Sequence, residues 1–290
     1  MPQLKLGIPK GSLQSSTLEL MEKAGYVVHV PRRSYYPSVD DDELKLRLIR
    51  PQDMARFVEK GVVDAGLTGA DWVAESGSDV DVVTELVYAK QQLTPVRWVI
   101  AVPEDSPIQK AEDLEGKTIS TELVNVTRQF LKDRGIDAEV EFSHGATETK
   151  APDIVDAIVE LTETGTSLRA NRLRIVETVM ESTTQLIACK ESMQNEWKTT
   201  KVESLAMLFR GAMLSRTKVG LKLNVGESDL EQVLEMLPAL GEPTVNSLAH
   251  EKGYAVESVL DETDARDLIP ELKRAGATGI IEYPLNKVVP

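Results

Sequence analysis

The chain contains a single cysteine, Cys189, among its 290 residues, which excludes an internal disulfide and a cysteine-based zinc cage. Only 4% of the residues are aromatic, whereas 41% are hydrophobic, so Leu, Val, Ile and Ala must fill the core. No apolar run reaches the roughly 18 residues that a membrane span requires. The N-terminal segment has one Lys and no long apolar stretch, so it does not read as a signal peptide. We therefore expect a soluble, cytoplasmic protein that has no membrane partner.

Basic residues are scarce: 33 Lys and Arg stand against 47 Asp and Glu, giving a formal charge of −14. Proteins that bind nucleic acid usually present a basic surface, so we expect no nucleic-acid partner. A polyanionic ligand would need local basic residues, helix N-termini or metal ions to offset the overall field. The three histidines, His29, His144 and His250, are scattered, and none has a partner at a spacing typical of metal or nucleophilic sites.

Strand-like and helix-like segments alternate through the first two-thirds of the chain, which predicts an α/β fold of parallel sheets covered by helices. We place a break between two lobes near Gln91 to Pro95, and a long, mostly helical segment at Ser192 to Ser215. Two lobes that enclose a cleft resemble periplasmic solute-binding proteins, and such a cleft is a natural ligand site. The predicted strands include 4–9, 46–49, 63–67 and 97–102, and the predicted helices include 12–24, 51–61 and 126–134.

The last 75 residues, 216–290, have a different pattern. Strands are predicted at 219–225, 244–248, 254–260 and 278–283, with helices at 229–237 and 267–275. The order β-α-β-β-α-β is the ferredoxin-like arrangement. Pro270 would break a helix that began at Asp264, so we predict that this helix begins near Asp267.

The segment from Asp156 to Leu168 is the most informative part of the sequence. We predict that it begins as a helix, in which Asp156 and Glu160 share one face. It continues into Thr164, Gly165, Thr166 and Ser167, whose hydroxyls and backbone N–H groups suit a phosphate. The combination suggests a phosphoribosyl site, and the alternative is an ordinary helix end followed by a Thr-Gly turn.

A longer segment, Gly145 to Asn171, resembles the signature of the ATP phosphoribosyltransferase family, the first enzyme of histidine biosynthesis. Gly7 to Leu13 resembles the opening of that family, and Val63 to Trp72 resembles its second glycine-rich turn. The sequence departs from the family at Arg172, where members often carry Gly. It is also one residue shorter than some relatives between Glu148 and Asp156.

The resemblance implies a two-lobed, periplasmic-binding-protein-like catalytic region and a ferredoxin-like, ACT-like regulatory domain. Lobe I would span 1–92 and be completed by 190–215, lobe II would span 93–189, and the regulatory domain would span 216–290. The implied reaction transfers the phosphoribosyl group of 5-phosphoribosyl 1-diphosphate to N1 of the adenine of ATP and releases diphosphate. The tail would bind histidine as a feedback inhibitor in a homo-oligomer, a dimer or a hexamer; the alternative is a dimerisation domain without a ligand.

The resemblance also implies roles for particular residues. The phosphoribosyl diphosphate loop would be Thr164, Gly165, Thr166, Ser167 and Leu168, and the acidic catalytic candidates are Glu148, Asp156 and Glu160. The ATP-binding candidates are Lys10, Gly11, Arg50, Asp64, Gly66 and Gly69, whereas Asp71 is either a helix cap or a ligand contact. Ser247, Leu248 and Ala249, flanked by Asn246 and His250, would form one wall of a histidine pocket. Mg²⁺ would arrive on the substrate phosphates without a dedicated protein cage, with Asp156 and Glu160 as candidate ligands.

Two other interpretations remain open at this stage. A non-catalytic, two-lobed protein that binds a small anion would share the alternating lobes and the cleft. A stand-alone regulatory module of the ferredoxin-like type would explain only the tail.

Overall fold

The computed structural model describes residues 2–87, 95–238, 240–249 and 252–290. The chain divides into two compact units, Met1–Ala206 and Met207–Pro290. The second unit begins earlier than the predicted start of the tail at 216. Most of the predicted break between two lobes, Gln91 to Thr94, lies outside the described residues.

The first sheet lies in the first unit and has parallel strands at its centre. Its strand order is β4 (Leu44–Ile49), β1 (Leu4–Pro9), β5 (Ala65–Gly69), β12 (Thr184–Ala188) and β6 (Asp81–Leu86). Strand β1 pairs parallel with β4 and β5, whereas β12 runs antiparallel to β5 and β6. The helices α1 (Gln14–Ala24), α2 (Pro51–Glu59) and α3 (Ala70–Ser76) follow β1, β4 and β5, and β2 (Val28–His29) pairs with β3 (Ser38–Val39).

The second sheet of this unit has the order β11 (Leu173–Ser182), β7 (Val96–Pro103), β10 (Ala157–Thr162), β8 (Thr118–Thr121) and β9 (Glu139–Phe142). Helix α4 (Val124–Asp133) follows β8, and the short helix α5 (Thr166–Ala170) follows β10. Short 3-10 turns occupy 111–114, 147–149 and 192–194. A cluster around the buried side chains of Trp98, Ile100 and Ile119 forms the core on one face.

Two predictions about this sheet are wrong. The predicted helix at Asp156 to Glu160 is strand β10, which lies between β7 and β8. Because a central strand is buried on both faces, its apolar residues run consecutively, and periodicity cannot separate such a run from a helix. The predicted second lobe, 93–189, also extends too far, because β12 belongs to the first sheet.

Helix α6 (Glu196–Leu214) confirms the long helical segment predicted at Ser192 to Ser215. Its Lys201 Nζ lies 2.8 Å from Asp41 Oδ2 and 2.7 Å from Glu43 Oε2, which precede strand β4. No helix among the described residues is both long and apolar enough to cross a membrane.

The second unit contains an antiparallel sheet in the order β14 (Thr244–Ser247), β15 (Tyr254–Asp261), β13 (Lys218–Val225) and β16 (Thr278–Pro284). Helix α7 (Leu230–Met236) follows β13, and α8 (Glu262–Arg274) follows β15. Alternate residues of β13, from Val219 to Val225, are buried in the core of this unit. The predicted ferredoxin-like order is therefore confirmed.

Pro270 lies inside helix α8, which begins at Glu262 rather than near Asp267. A proline in a helix interior removes one backbone hydrogen bond and crowds the preceding turn. The apolar face of α8 compensates, because Ala265 and Leu272 are fully buried and Leu268 packs against the same core. Tertiary packing thus overrides the local signal on which the prediction depended.

Arg172 has a left-handed backbone, with φ of 56°, directly after helix α5. Its N–H donates to the carbonyl of Arg169 at 3.1 Å, and its own carbonyl accepts from Glu104 N at 3.1 Å. This is the position at which the resembled family often carries Gly. The geometry explains that preference, because Gly adopts a positive φ without a steric cost.

Replacing Arg172 with Gly should raise the free energy of unfolding by about 0.5–1 kcal/mol. The strain of about 1–2 kcal/mol that an L side chain meets in this conformation is relieved, and the greater freedom of Gly in the unfolded chain offsets part of the gain. Urea unfolding measures the difference. The matched control is Arg169→Gly within α5, which should lower the free energy of unfolding by about 1 kcal/mol. Losses of similar size at both positions would contradict this account.

Candidate active site

A cavity of about 460 Å³ opens in the first unit where the carboxyl ends of β1, β4, β5 and β10 meet. The first sheet and its helices contribute one wall, and the second sheet contributes the other. The lining residues are Lys10, Gly11, Ser12, Leu13, Arg50, Pro51, Gln52, Gly69, Asp71, Trp72, Val96, Trp98, Glu122, Glu160, Leu161, Glu163, Ser182, Thr183 and Thr184. Ligands in α/β proteins characteristically bind at such carboxyl ends.

Two cations stand at the edge of this cavity. Lys10 directly follows β1 and Arg50 directly follows β4, and these parallel neighbours bring the two side chains to the same edge. The Lys10 ammonium lies 4.0 Å from the ring centroid of Tyr35, and its hydrogen bond holds the pKa of that phenol below the ordinary value. Gly11, with φ of 107°, makes the turn into α1. With Gly69, which also lines the cavity, the structure brings four of the six predicted nucleotide-binding residues together.

A buried carboxylate joins the two walls of the cavity. Asp71 accepts hydrogen bonds from Trp98 Nε1 at 2.7 Å and from Ser182 Oγ at 2.9 Å, while its own N–H donates to Ser182 Oγ at 3.1 Å. Burial raises the pKa of Asp71 above the ordinary value, although these hydrogen bonds act in the opposite direction. Gly69 is the N-cap residue of α3, so a helix-cap role for Asp71 is wrong. An added Cβ at Gly69 would collide with the Asp71 carboxylate.

Three glutamates approach the cavity from the second sheet: Glu122, Glu160 and Glu163. Burial raises the pKa of Glu160, whereas hydrogen bonds from Thr147 and from the Leu161 N–H act to lower it. Glu163 has one carboxylate oxygen that is buried without a partner among the described residues. The sequence argument did not select Glu122 or Glu163, because isolated glutamates after a strand carry no motif of their own.

Asp156 does not join Glu160 at the cavity. Its carboxylate accepts from the Thr118 N–H at 2.9 Å and lies 3.5 Å from Lys117 Nζ. Because Asp156 and Glu160 flank most of an extended strand, they are about 13 Å apart along it. The assignment of Asp156 to catalysis or to magnesium depended on a helix that does not form.

The predicted phosphate loop connects β10 to α5 beside the cavity, although none of its residues is among the lining residues. The Gly165 N–H donates to Thr162 Oγ1 at 2.7 Å, and the hydroxyls of Thr164 and Thr166 are 2.8 Å apart. Ser167 Oγ donates to Glu148 Oε1 at 2.7 Å, which places this predicted acid on the loop. Leu168 is buried in the core beneath. The side chains of Thr164, Thr166 and Ser167 are therefore exposed, while the buried Leu168 side chain attaches the loop to the core.

Asp64 and Gly66, both predicted to bind nucleotide, are not among the lining residues of the cavity and make structural contacts. Asp64 precedes β5 at the end away from the cavity and accepts from Lys5 N, Ser192 Oγ and Lys198 Nζ at 2.6–2.7 Å. Burial acts to raise its pKa, but these donors outweigh burial and leave the pKa below the ordinary value. An added Cβ at Gly66 would lie 2.6 Å from Met54 Sδ, so this glycine permits helix α2 to pack closely.

The residues proposed for the histidine pocket lie at the end of β14 and just beyond it. Ser247 and Ala249 are exposed, and Leu248 is half-buried with its N–H donating to the Gly253 carbonyl at 3.0 Å. His250 lies outside the described residues. In the part of the chain that the structure describes, no three His, Cys, Asp or Glu side chains form a group that could hold a metal ion.

Comparison with known proteins decides the family. A family model described as ATP phosphoribosyltransferase matches residues 50–211, and one described as HisG, C-terminal domain, matches residues 215–287. The chain belongs to the ATP phosphoribosyltransferase family. The ATP phosphoribosyltransferase of Chlorobium phaeovibrioides is 58% identical over 99% of this chain and 97% of its own length. The ATP phosphoribosyltransferase of Thermodesulfovibrio yellowstonii is 56% identical over 99% of this chain and 98% of its own length.

One solved structure supports the fold independently. The ATP phosphoribosyl transferase (HisG:HisZ) complex from Thermotoga maritima matches with a TM-score of 0.61 and 24% identity, covering 72% of this chain and 99% of the matched chain. The predicted fold class is thereby confirmed. The relatives confirm the predicted enzyme, a transferase in the first step of histidine biosynthesis, and the small-anion-binding alternative is not favoured. A stand-alone regulatory module does not account for the match at residues 50–211.

Replacing Lys198 with Met should lower the free energy of unfolding at neutral pH by about 2 kcal/mol. Breaking a buried ion pair costs about 3–5 kcal/mol, and the 30% exposure of the Lys198 side chain reduces that figure. The depressed pKa of Asp64 stabilises the fold above the ordinary value of 3.8, and this contribution is lost as the pH falls further. The deficit of the variant should therefore shrink at acid pH.

Urea unfolding at several pH values measures this deficit. The matched control is Lys190→Met, because Lys190 pairs with Asp79 at the exposed surface and should contribute far less. A deficit for Lys198→Met that did not change with pH would argue against the ion pair as its cause.

Proposed function

We propose that the cavity of the first unit binds ATP and 5-phosphoribosyl 1-diphosphate together and transfers the phosphoribosyl group to adenine N1. One observation carries this proposal: two cations and a partly buried glutamate line a single cavity, and the hydroxyl-rich loop begins directly after the lining residue Glu163. The C1–O bond to the leaving diphosphate breaks as the bond from N1 to C1 forms. Direct displacement requires no covalent nucleophile from the protein.

The proposed roles follow from charge and position. Lys10 and Arg50 offset the negative charge of the nucleotide or the diphosphate, and Gly11 and Gly69 allow the ligand to approach the backbone. The loop from Thr164 to Leu168 anchors the 5-phosphate through its hydroxyls and N–H groups.

Glu160 and Glu148 face the sugar in this proposal. Positive charge develops on the ribose ring as diphosphate departs, and an ionised carboxylate nearby stabilises it. Asp64, Gly66 and Asp156 are left out, because other parts of the structure explain their presence.

Mg²⁺ fits this site as an ion carried by substrate phosphates. Glu122, Glu160 and Glu163 offer carboxylate oxygens, the donors that Mg²⁺ prefers, and one Glu163 oxygen is buried without a protein partner among the described residues. When bound, the ion would neutralise charge on the diphosphate. Glutamates beside it would add to the substrate oxygens without forming a cage, and the ion would offset the repulsion between an acidic cavity and polyanionic substrates.

We further propose that the second unit is a regulatory domain that binds histidine as a feedback inhibitor, with Ser247, Leu248 and Ala249 on one wall of the pocket. The enzyme would work in the cytoplasm as a homo-oligomer, a dimer or a hexamer, and without a nucleic-acid partner. The ferredoxin-like topology and the match to the C-terminal domain model support this proposal. A dimerisation domain without a ligand is the alternative.

Gly165→Asp should abolish binding of phosphoribosyl diphosphate, lowering its affinity at least about 100-fold while affinity for ATP changes little. The new side chain strains a backbone whose φ is 73° and brings a carboxylate toward the phosphate. Titration calorimetry measures both affinities. The matched control is Gly135→Asp, which introduces the same charge at a φ of 67° in an exposed turn after α4. Unchanged affinity in Gly165→Asp, or equal losses in both variants, would refute the loop assignment.

Ser247→Arg should raise the histidine concentration needed for half-inhibition at least about tenfold, because the long cation would occupy the proposed pocket. Activity without histidine should be unchanged. The control Ser228→Arg, at an exposed turn of the same domain, should be inhibited by histidine as strongly as the wild type. The assay follows adenine absorbance with magnesium, ATP and phosphoribosyl diphosphate. Truncation after Ser215 should abolish inhibition altogether. Full histidine sensitivity in the truncated chain would show that the tail is not the regulatory site.

A further inference from the structure

Glu75 lies in helix α3, on the side of the first sheet, and hydrogen-bonds to helix α4, on the side of the second sheet. The Asn125 N–H donates to both carboxylate oxygens, at 3.0 and 2.9 Å, and the Val126 N–H donates to one of them at 3.0 Å. The side-chain amide of Asn125 donates to the Glu75 carbonyl at 3.0 Å. These three residues, here called the latch, therefore join the two walls of the cavity through four hydrogen bonds.

Helix α4 receives its N-terminal cap from the opposite wall. Its own N-cap residue is Leu123, whose side chain makes no capping hydrogen bond. The first N–H groups of a helix have no partner within the helix, and those of Asn125 and Val126 belong to its second and third residues. The Glu75 carboxylate satisfies both groups, and its charge also interacts favourably with the helix dipole. A cap supplied by α4 itself would satisfy the same groups without joining the walls.

Asp71 precedes Glu75 by one turn of α3 and holds the same two walls together. The two carboxylates are four residues apart, so they lie on one face of the helix. Asp71 is 4% exposed, whereas Glu75 is half-buried and Asn125 is exposed. Because hydrogen bonds of a charged group are stronger where water is excluded, the contacts of Asp71 are harder to break than those of the latch. Asp71 therefore fixes the distance between the walls, and the latch fixes the angle.

The spacing of the two contacts makes the latch sensitive to that angle. Four residues of helix place Glu75 about 6 Å from Asp71 along α3. A rotation of the second sheet by about 15° around Asp71 would move α4 by about 1.5 Å relative to Glu75, which is enough to lengthen hydrogen bonds beyond the usual limit of about 3.2 Å. The latch is therefore complete over only a narrow range of angles.

A second cavity, of about 470 Å³, lies between the walls beside the first one. Glu75 and Asn125 are among its lining residues. The two cavities share four lining residues, which are Arg50, Gln52, Trp72 and Glu122. The angle that the latch fixes therefore sets the width of the candidate active site as well as that of its neighbour.

We propose that Glu75 is a positioning residue for phosphoribosyl transfer, which holds the two walls at the angle at which the cavity binds its substrates. This inference rests on the proposed binding of both substrates in that cavity. A ligand that contacts both walls binds the latched arrangement better, so without the latch part of its binding energy is used to bring the walls together. Loss of the latch should therefore weaken binding and leave the chemical step of the bound enzyme almost unchanged.

Steady-state kinetics test this division between binding and chemistry. Glu75→Ala should raise the KM of each substrate up to about tenfold, measured with the other substrate below its own KM, because the binding-competent arrangement is less populated. Saturating substrates restore that arrangement, so kcat should change less than about twofold. Glu75→Gln keeps one carbonyl oxygen as an acceptor without the charge, and its KM should rise only about threefold.

Pulsed electron paramagnetic resonance measures the arrangement of the walls without turnover. Lys60→Cys, directly after α2, and Lys132→Cys, in α4, place spin labels at exposed positions on opposite walls, while the native Cys189 is buried. Without ligands, the distance distribution between the labels should be broader in Glu75→Ala than in the labelled protein that keeps Glu75. Saturating ATP and phosphoribosyl diphosphate with magnesium should narrow it again.

Glu115→Ala is the matched control. The Glu115 carboxylate also accepts a backbone N–H, that of Asp137 at 2.8 Å, but both residues lie on the side of the second sheet. This variant should keep the wild-type KM and the wild-type distance distribution, whatever its effect on Tm. Equal changes in Glu115→Ala and Glu75→Ala would overturn the latch, because they would reflect a general loss of stability.

Three other results would overturn the proposal. The first is an unchanged distance distribution in ligand-free Glu75→Ala. The second is a lower Tm with an unchanged KM, since Glu75 would then only cap α4. The third is a kcat that falls as much as KM rises, which would place Glu75 in the chemical step.

The spin-label experiment also separates this inference from the proposed function. If the distribution broadened in Glu75→Ala and the substrates did not narrow it, the angle-setting role of Glu75 would stand. The assignment of both substrates to this cavity would then be wrong. Broadening without ligands, narrowing with them and a raised KM at nearly constant kcat are the expected results.

Discussion

The cavity depends on the buried carboxylate of Asp71. Its helix belongs to the first sheet, its partner Trp98 lies on the second sheet, and its other partner Ser182 lies just before the chain returns to the first sheet. A carboxylate that is desolvated to this extent is tolerated only when each oxygen has a donor, and Asp71 has one for each. The hydrogen bonds therefore fix the distance between the basic wall and the acidic wall, on which the proposed binding of two substrates in this cavity depends.

Charge is divided between the two walls. The first sheet ends in Lys10 and Arg50, whereas the second presents Glu122, Glu160 and Glu163. The formal charge of the chain is −14, so long-range electrostatic attraction contributes little to the binding of two polyanionic substrates. Recognition must therefore be local and depend on short-range donors, and in the proposed function on magnesium ions that the substrates carry. Carboxylates that would repel a bare phosphate would attract the magnesium ion that we propose accompanies it.

Much of the fold was accessible from the sequence, because its strongest signals are local. Strand β1 occupies the predicted residues, Leu4–Pro9, and the ferredoxin-like order of the tail is as predicted. Strand β10 was mistaken for a helix because a strand buried on both faces loses its alternation. Pro270 led to a predicted helix that is too short, because burial of the apolar face of α8 outweighs the one backbone hydrogen bond that proline removes.

The sequence selected candidate site residues where glycines and hydroxyls form a local pattern, and it missed the contacts that depend on tertiary structure. Lys10 and Arg50 follow strand ends that the sequence reveals, whereas the loop from Thr164 to Leu168 was selected by its own glycine and hydroxyls although the strand before it was mistaken for a helix. Asp64 has the same local appearance as a ligand residue, but it precedes its strand and pairs with Lys198, 134 residues away. The partners in such networks are far apart in sequence, and Asp71 and Ser182 are separated by 111 residues. A short sequence motif cannot reveal contacts over such a separation.

The pairing of β6 with β12 has a consequence for folding. Leu86 lies opposite Thr184, so the whole second sheet is inserted between two hydrogen-bonded neighbours, as if it were the loop of a very long hairpin. Closing so long a loop as a free chain would carry a large entropic cost, whereas a folded insert already holds its two ends near each other. Formation of the second sheet thus lowers the entropic cost of pairing β6 with β12 in the first sheet. The inserted sheet therefore helps the first sheet to form and also contributes a wall of the cavity.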